Sequence, residues 1–455
     1  MMGGRAVVIG GSLAGMAAAR ALAEHFASVV VIERDELADD TEPRRGVPQG
    51  GHGHVLLVAG QRALDTLFPG LMAELVAAGA VEFDPGMDLS FFRFGAIWPR
   101  VRTQLRLVTA SRPMLERAVR RRVRALAGVE VRTGIAVSAL VGDGERITGV
   151  RLDDDTVLDA GVVVDCSGRG GRSQQWLRDL GHREPRVTEM KIGVGYATRL
   201  YRRRPTDLGD ARAAFALPDP PSELRAGLAL PIEGDRWVVS LGGWHSAFPR
   251  DEAAFAAHAA SLPHPGLAGI VADGEALSDI TVCTLPVSRR RHFEELHGAP
   301  AGYLALGDAV CSFNPIYGQG MTCAAIEAVE LGRLLERHAA VTATLSLEYH
   351  RRAARVVATP WRFASGGDFA YPQTAGVRPR GVALVNAYAR RVQLASMVNQ
   401  DVRQVFTSVQ HLIMDPAALS TPAMVARVLR SGRRAARRDR GGATPPVGGE
   451  AGAAR

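Results

Sequence analysis

The sequence predicts an α/β protein in which a dinucleotide-binding domain is interrupted by a mostly antiparallel sheet and followed by C-terminal helices. Three observations carry this. The chain opens on a buried strand, a glycine-rich turn, a small-residue helix and a second strand. From Lys191 onward apolar and polar residues alternate, the period of a strand and not of a helix. Tyr303 to Thr322, YLALGDAVCSFNPIYGQGMT, then returns to strand, loop and helix.

In the opening unit, Arg5 to Ile9 reads as a strand, Gly10-Gly-Ser12-Leu13-Ala14-Gly15 as the turn, Met16 to Leu22 as the helix, and Ser28 to Ile32 as a second strand ending at Glu33. An acid at that tip meets a ribose hydroxyl of a bound dinucleotide, while the turn lets pyrophosphate approach the backbone. Ser12 stands at the middle glycine position of G-x-G-x-x-G. Serine is the smallest replacement, and its hydroxyl can donate to a phosphate oxygen. Glu33 in place of a basic residue favours an unphosphorylated ribose, hence FAD or NAD over NADP.

The Tyr303 stretch adds a second requirement. Gly307-Asp308 closes a short strand, and the loop through Pro315 leads to Gly318-Gln319-Gly320, where a helix from about Met321 to His338 begins. Ala324, Ala325, Ala328, Leu331 and Leu335 share one face, so the helix packs in the core. Its first turn presents unpaired N–H groups and the positive end of the dipole to the loop. A carboxylate at Asp308 can accept two hydroxyls of a polyol. FAD needs both features: its ribitol wants an acceptor, and the N1–C2=O edge of its reduced ring carries negative charge.

Between these stretches lie several candidates. Arg44 to His54, with Arg45, Gly46, Val47 and Gln49, forms a glycine-rich loop before a helix from about Val55 to Leu67. His52 and His54 lack a neighbouring cluster of acids or cysteines, so they read as loop residues lining a cofactor or substrate cavity, with no metal. Ser111 caps a helix with Pro113 in its first turn and Arg112 able to reach phosphate. Gly161 to Ser173, containing Asp165 and Gly168, is a strand running into a second phosphate-approach loop. Strands at Lys191–Tyr201, Leu224–Pro231 and Arg236–Trp244 build the antiparallel sheet, whose Tyr196, Trp237 and Trp244 give it aromatic faces. With Phe313 and Tyr317 these are the candidate substrate contacts.

The expected organisation is a cofactor domain from 1–75, 106–184 and 282–345, a substrate domain from 76–105 and 185–281, C-terminal helices over 346–432 and a basic, Gly- and Pro-rich tail over 433–455. Net charge is +8, concentrated in the arginines after Arg427; the body is nearly neutral, and the tail reads as a solvated end, not as a nucleic-acid site. Four residues precede the first strand, too few for a secretory signal, and no apolar run reaches bilayer length. Cys166, Cys283, Cys311 and Cys323 form no C-x-x-C pair. A cytoplasmic protein is expected.

These motifs together resemble the group A, FAD-dependent monooxygenases of the para-hydroxybenzoate hydroxylase fold: Gly10 to Gly15 with Glu33, Asp165 to Arg172, and Gly307-Asp308 with Pro315 and Gly318 to Gly320. Within that family Arg45-Gly-Val-Pro-Gln49 with His52 and His54, Tyr196-Ala-Thr-Arg-Leu, Leu230 to Trp237 and Phe313 to Met321 are similar to bacterial epoxidases of polyketide polyenes, relatives of squalene epoxidase. The resemblance implies that Gly10, Ser12 and Gly15 hold pyrophosphate, with Leu13 and Ala14 of the same turn among the cofactor-binding residues. It places Glu33 at the adenosine ribose, Arg112 at the diphosphate, Asp308 at the ribitol and Gly318 to Met321 at the ring edge, with Arg34, Arg45, Gly46, Val47, Gln49, Asp165, Gly168, Gly307 and Pro315 also binding the cofactor. It further implies oxygen transfer from O2 through a flavin C4a-hydroperoxide, with NAD(P)H as transient reductant or a partner reductase, and a small hydrophobic substrate. No catalytic side chain is then required. An aromatic hydroxylase, an isoprenoid double-bond reductase and a non-catalytic flavin-binding protein are the alternatives.

Overall fold

The computed structural model describes residues 4–38, 46–245 and 247–441; Arg45 and the end of the tail lie outside them. Two compact units divide at Val382–Ala383. The helix Ala343–Asp368, expected to open a separate C-terminal region, belongs to the first unit, where Leu345, Tyr349, Ala353 and Val357 are buried in its cores. The second unit is helical, with Gln400–Gln410 capped by the Asn399 side chain, which accepts from Val402 N at 3.1 Å. Among the described residues no helix is long and apolar enough to cross a membrane.

The first sheet is parallel, in the order Tyr303–Ala305, Val162–Asp165, Arg5–Ile9, Ser28–Ile32, Val129–Arg132. Its inner strands are nearly continuous apolar runs because both faces are covered. Ala6, Val8, Val29 and Val31 pack under the helices Leu13–Leu22, Arg112–Arg124 and Gly320–Leu335. Val7, Ile9, Val30 and Ile32 face a core shared with the small antiparallel sheet Val137–Gly142, Ile147–Leu152 and Val157–Asp159. All the strands run the same way, so the loops after Ile9, Ile32, Asp165 and Ala305 gather at one carboxyl edge, where open α/β sheets bind ligands.

The second sheet has nine strands. Its main path runs Cys311–Ser312, Thr281–His292, Arg186–Arg202, Arg236–Gly243, Arg225–Ile232, Ala213–Ala216, Leu89–Arg93 and Ala96–Ile97, with Ala375–Gly376 beside Arg186–Arg202. Only Ala213–Ala216 with Leu89–Arg93 pairs in parallel. The Arg186–Arg202 strand is longer than expected and bulges between Lys191 and Val194. Gly193 has φ +57° there, and the bulge stands opposite Pro286 of the neighbouring strand Thr281–His292, between the paired Leu285 and Val287, so that neighbouring strand accommodates a residue with no N–H to donate. Lys191, the single lysine of the chain, is exposed on this strand.

The first turn is packed as tightly as its glycines allow. Gly10 has φ +100°, and a Cβ on Gly15 would stand 1.8 Å from the Gly10 carbonyl oxygen. Gly15→Ala therefore forces the Leu13–Leu22 helix off the first strand and should cost about 3 kcal/mol or prevent folding. Denaturant titration of the variant against the parent protein checks this.

Candidate cofactor site

The loops after Ile9, Ile32 and Ala305 bring polar groups to the carboxyl edge. Gly11 N donates to Glu33 Oε2 at 2.7 Å and Asp35 N to Oε1 at 3.0 Å, so the acid at the tip of the second strand braces the glycine turn. Ser12 Oγ donates to Glu116 Oε1 at 2.9 Å and accepts from Arg112 Nη2 at 3.2 Å, while Arg112 Nε reaches the same Glu116 oxygen at 3.0 Å. The helix carrying Arg112 is capped as expected, Ser111 Oγ accepting from Met114 N at 3.2 Å. Arg112 Nη1 lies 3.3 Å from His54 Nε2, and His54 Nδ1 lies 2.8 Å from the His52 carbonyl. Those partners assign the proton to Nδ1 and leave Nε2 as the acceptor. Burial and the neighbouring guanidinium push the His54 pKa down to about 3, so it stays neutral. A cavity of about 20 Å³ lies between Arg112, His54 and Met321.

Gly307 joins this cluster to the last helix. With φ +69°, its Cα is wedged so that a Cβ would stand 3.1 Å from Ala14 Cβ and 3.5 Å from Ala324 Cβ. Its N–H donates to Glu327 Oε2 at 2.7 Å. Next to it, Asp308 keeps a carboxylate to which no described group donates a hydrogen bond, although Arg112, Arg169 and Arg291 lie near enough to favour its charge. Burial outweighs them and raises its pKa. A Cβ on Gly320 would stand 3.6 Å from Asp308 Oδ1, so the helix Gly320–Leu335 starts at this carboxylate. Among the described residues no side chain caps that helix, and the buried Gln319 Oε1 has no partner. An uncommitted acceptor beside a bare helix start, with Ser12, Arg112 and Glu33 on the adjoining loops, fits FAD. Ser12 and Arg112 would hold the diphosphate, Glu33 the ribose, Asp308 the ribitol and Gly318 to Met321 the ring edge.

Several expected contacts take other roles. Asp165 is fully buried and committed. Its Oδ1 accepts from Ser167 N at 2.9 Å, and its Oδ2 accepts from Tyr303 Oη at 2.9 Å and from Ser173 Oγ. It shapes its own loop and offers nothing to a ligand. Gly168, φ +80°, turns that loop with open space around it. The Arg34 guanidinium is largely exposed and faces Asp35 at 3.8 Å. Gly46 N donates to Asp35 Oδ2 at 2.5 Å, Val47 is buried, Gln49 lies in the turn Pro48–Gly51, and Pro315 is exposed.

On the second sheet, strand parity sorts the aromatics. Thr198 and Ser240 are paired, and both point toward the His52 loop. His52 Nδ1 lies 2.7 Å from Thr198 Oγ1, Thr198 Oγ1 lies 2.6 Å from Ser240 Oγ, and Gly53 N donates to Ser240 Oγ at 3.1 Å. Tyr196 shares that face, its ring 4.7 Å from the His52 ring. Trp244 stacks near Tyr371, the ring centroids 5.1 Å apart. Trp237 does not join them. It pairs with Tyr201 on the opposite face, is buried with Phe255 and Leu267 of the helices Glu252–Ser261 and Pro265–Asp273, and donates Nε1–H to Asp207 at 2.8 Å. Phe313 is a core side chain beside Val310, Cys323 and Val357, whereas Tyr317 lies partly open between that core and the Trp244 cluster. Glu116, Glu327 and Asp368 also stand at the site, outside every motif of the sequence. The only signal for Glu327 was an acid on the apolar face of its helix.

The parallel sheet, the glycine turn, the Asp308 loop and the antiparallel second sheet define the fold shared by FAD-dependent monooxygenases and flavin-dependent halogenases. Solved structures bear this out. A probable FAD-dependent monooxygenase, PqsL of Pseudomonas aeruginosa, is 19% identical with a TM-score of 0.57, covering 81% of this chain and 97% of its own. The flavin-dependent brominase Bmp2 is 17% identical with a TM-score of 0.62, covering 95% and 100%. No family model matches the sequence. Protein Rv3254 of Mycobacterium tuberculosis is 34% identical over 384 residues, 80% of each chain, and the present chain belongs to the same family as that protein.

Two variants check the geometry. Asp308→Ala removes the acceptor without unpairing any described donor, so it should weaken FAD binding about tenfold or more, by flavin fluorescence titration, while leaving the unfolding midpoint in place. Glu327 is the second. Burial and the nearby Asp308 raise its pKa to about 8 against the hydrogen bond from Gly307. Below the ordinary value of 4.5 folded and unfolded forms are both protonated and no penalty exists; between 4.5 and about 8 the unfolded chain ionises first and stability falls. Glu327→Gln keeps the acceptor for Gly307 and lacks this loss. Its stability relative to the parent should rise between pH 5 and pH 8 by roughly a few kcal/mol, read from urea midpoints; parallel pH curves would show an ordinary carboxylate.

Proposed function

We propose that this protein is an FAD-dependent monooxygenase that transfers one atom of O2 to an alkene of a hydrophobic polyketide or terpenoid substrate, forming an epoxide. The observation that carries the reading is the unpaired Asp308 carboxylate at the uncapped start of the helix Gly320–Leu335. Reduced FAD, once bound there, supplies the O2 chemistry. Its two electrons come from NAD(P)H or a partner reductase, and the second oxygen atom leaves as water.

The chain's own part is to bind, orient and exclude water. The Gly307–Glu327 hydrogen bond fixes Asp308 against the helix start, and the N–H groups of that start favour negative charge on the ring edge. Tyr196 and Tyr317, partly exposed, give this side of the sheet an aromatic character suited to an apolar substrate, and the buried Trp244 and Tyr371 belong to the core they pack against. An alkene needs no base, and the ionisable groups on this face are poor ones. Burial lowers the His52 pKa to about 4 and raises those of Tyr196 and Tyr317, which makes these three poor bases for a phenol; Asp368, whose pKa burial raises to about 6, is among the described residues the one carboxylate beside Trp244 and Tyr317, and its Oδ1 is taken by Trp244 and Asn314. The weakness of His52, Tyr196 and Tyr317 as bases is what favours alkene oxidation over aromatic hydroxylation in this reading.

The test is a panel of polyenes, isoprenoids and phenols incubated with FAD-loaded protein, a reductase, NAD(P)H and isotopically labelled O2, with and without bromide. Epoxides carrying one labelled atom are expected, with the rate unchanged in His52→Gln to within about threefold. Labelled phenols, brominated products or saturated isoprenoids would each replace the epoxidase reading with another.

A further inference from the structure

The buried carboxyl group of Asp368, at the end of the helix Ala343–Asp368, has no place in the cofactor motifs, yet it ties three elements together. Its Oδ1 accepts from Trp244 Nε1 at 2.8 Å, at the end of the second sheet, and from Asn314 Nδ2 at 2.7 Å, in the loop before the helix Gly320–Leu335. Tyr317 Oη, in the same loop, stands 3.5 Å away, and Asp368 Oδ2 is buried without a partner among the described residues. The Asp368 carbonyl accepts from Thr374 Oγ1 at 2.6 Å, which pins the segment on its far side.

The neighbouring glycine has a matching role. A Cβ on Gly367 would stand 2.0 Å from Tyr317 Oη and 2.9 Å from its Cζ, so only glycine lets the Tyr317 ring lie against the helix end. Asn314 Oδ1 in turn accepts from Ile316 N at 3.1 Å, holding the turn Pro315–Tyr317 that delivers Gly318 to the helix start.

We propose that Asp368 and Gly367 form a latch that fixes the Asn314–Tyr317 loop, and with it the start of the helix Gly320–Leu335, to the Trp244 side of the substrate sheet. Asp368 is a positioning residue: it acts on the flavin ring edge through Asn314 and Tyr317. The inference rests on the FAD reading and adds a mechanical link between the substrate face and the cofactor.

The link is tested in FAD-loaded protein by two readouts that need no turnover, the FAD dissociation constant and the visible absorption spectrum with midpoint potential of the bound flavin. Asp368→Ala leaves the Trp244 and Asn314 donors unpaired. It should weaken FAD binding about tenfold and shift the spectrum and potential. Asp368→Asn keeps an acceptor oxygen for those donors and should stay within about threefold of the parent with an unshifted spectrum. Gly367→Ala leaves the carboxyl group intact but displaces Tyr317, and should shift the spectrum in the same sense as Asp368→Ala. Lowered stability in Asp368→Ala with unchanged affinity, spectrum and potential would overturn the latch and leave the FAD reading standing. Should Asp368→Ala misfold, Gly367→Ala decides alone, an unshifted spectrum counting against the latch. Parent protein that takes up no FAD would overturn both.

Discussion

Two carboxyl groups, one fully buried and one partly open, share a corner of the carboxyl edge, and the rest of the site depends on their having different duties. Glu327 spends an oxygen on the Gly307 N–H and is pushed toward its protonated form; Asp308, partly open and approached by three guanidinium groups, is left to meet a ligand. Burying both as charges would be costly. The division of labour also sets distances, because the Glu327 hydrogen bond joins the turn before Asp308 to the helix whose first residues lie beside it. A bound flavin would therefore find a preset acceptor for its hydroxyls and preset N–H groups for its negative ring edge, with little rearrangement.

Much of this was readable in the sequence. Arg5–Ile9 and Ser28–Ile32 match their strands residue for residue, because a parallel strand covered on both faces is an uninterrupted apolar run bounded by glycine or charge. Ser12, Arg112 and Asp308 meet because short motifs encode where a backbone turns. What failed is equally physical. Trp237 and Trp244 are seven residues apart, an odd number on a strand of period two, yet both were assigned to the substrate face; the structure puts Trp237 under the outer helices. Asp165 resembles a ligand contact by position, but its acceptors are consumed by Ser167, Ser173 and Tyr303, which only the folded chain brings together.

The strand Thr281–His292 was missed for two local reasons. Pro286 argues against a central strand, and Arg289-Arg290-Arg291 argue against a buried one. Both objections are answered by tertiary context. The proline sits at a bulge, and Arg291 is buried with its guanidinium donating to the Ala309 and Arg169 carbonyls at 3.0 and 3.3 Å, so the strand stitches the Asp308 loop to the loop after Asp165.

The distribution of reactive side chains has a practical corollary. All four thiols are buried, and burial drives those of Cys166, Cys311 and Cys323 well above the ordinary range, which suppresses the thiolate that alkylating reagents attack. The exposed ε-amine of Lys191 has no second copy in the chain. A dye or crosslinker carried on a succinimidyl ester would thus label the outer surface of the second sheet at one known position besides the α-amine. A cysteine introduced anywhere on the exterior would be the sole accessible sulfur for maleimide chemistry, which makes the native polypeptide a ready substrate for two-colour distance measurements.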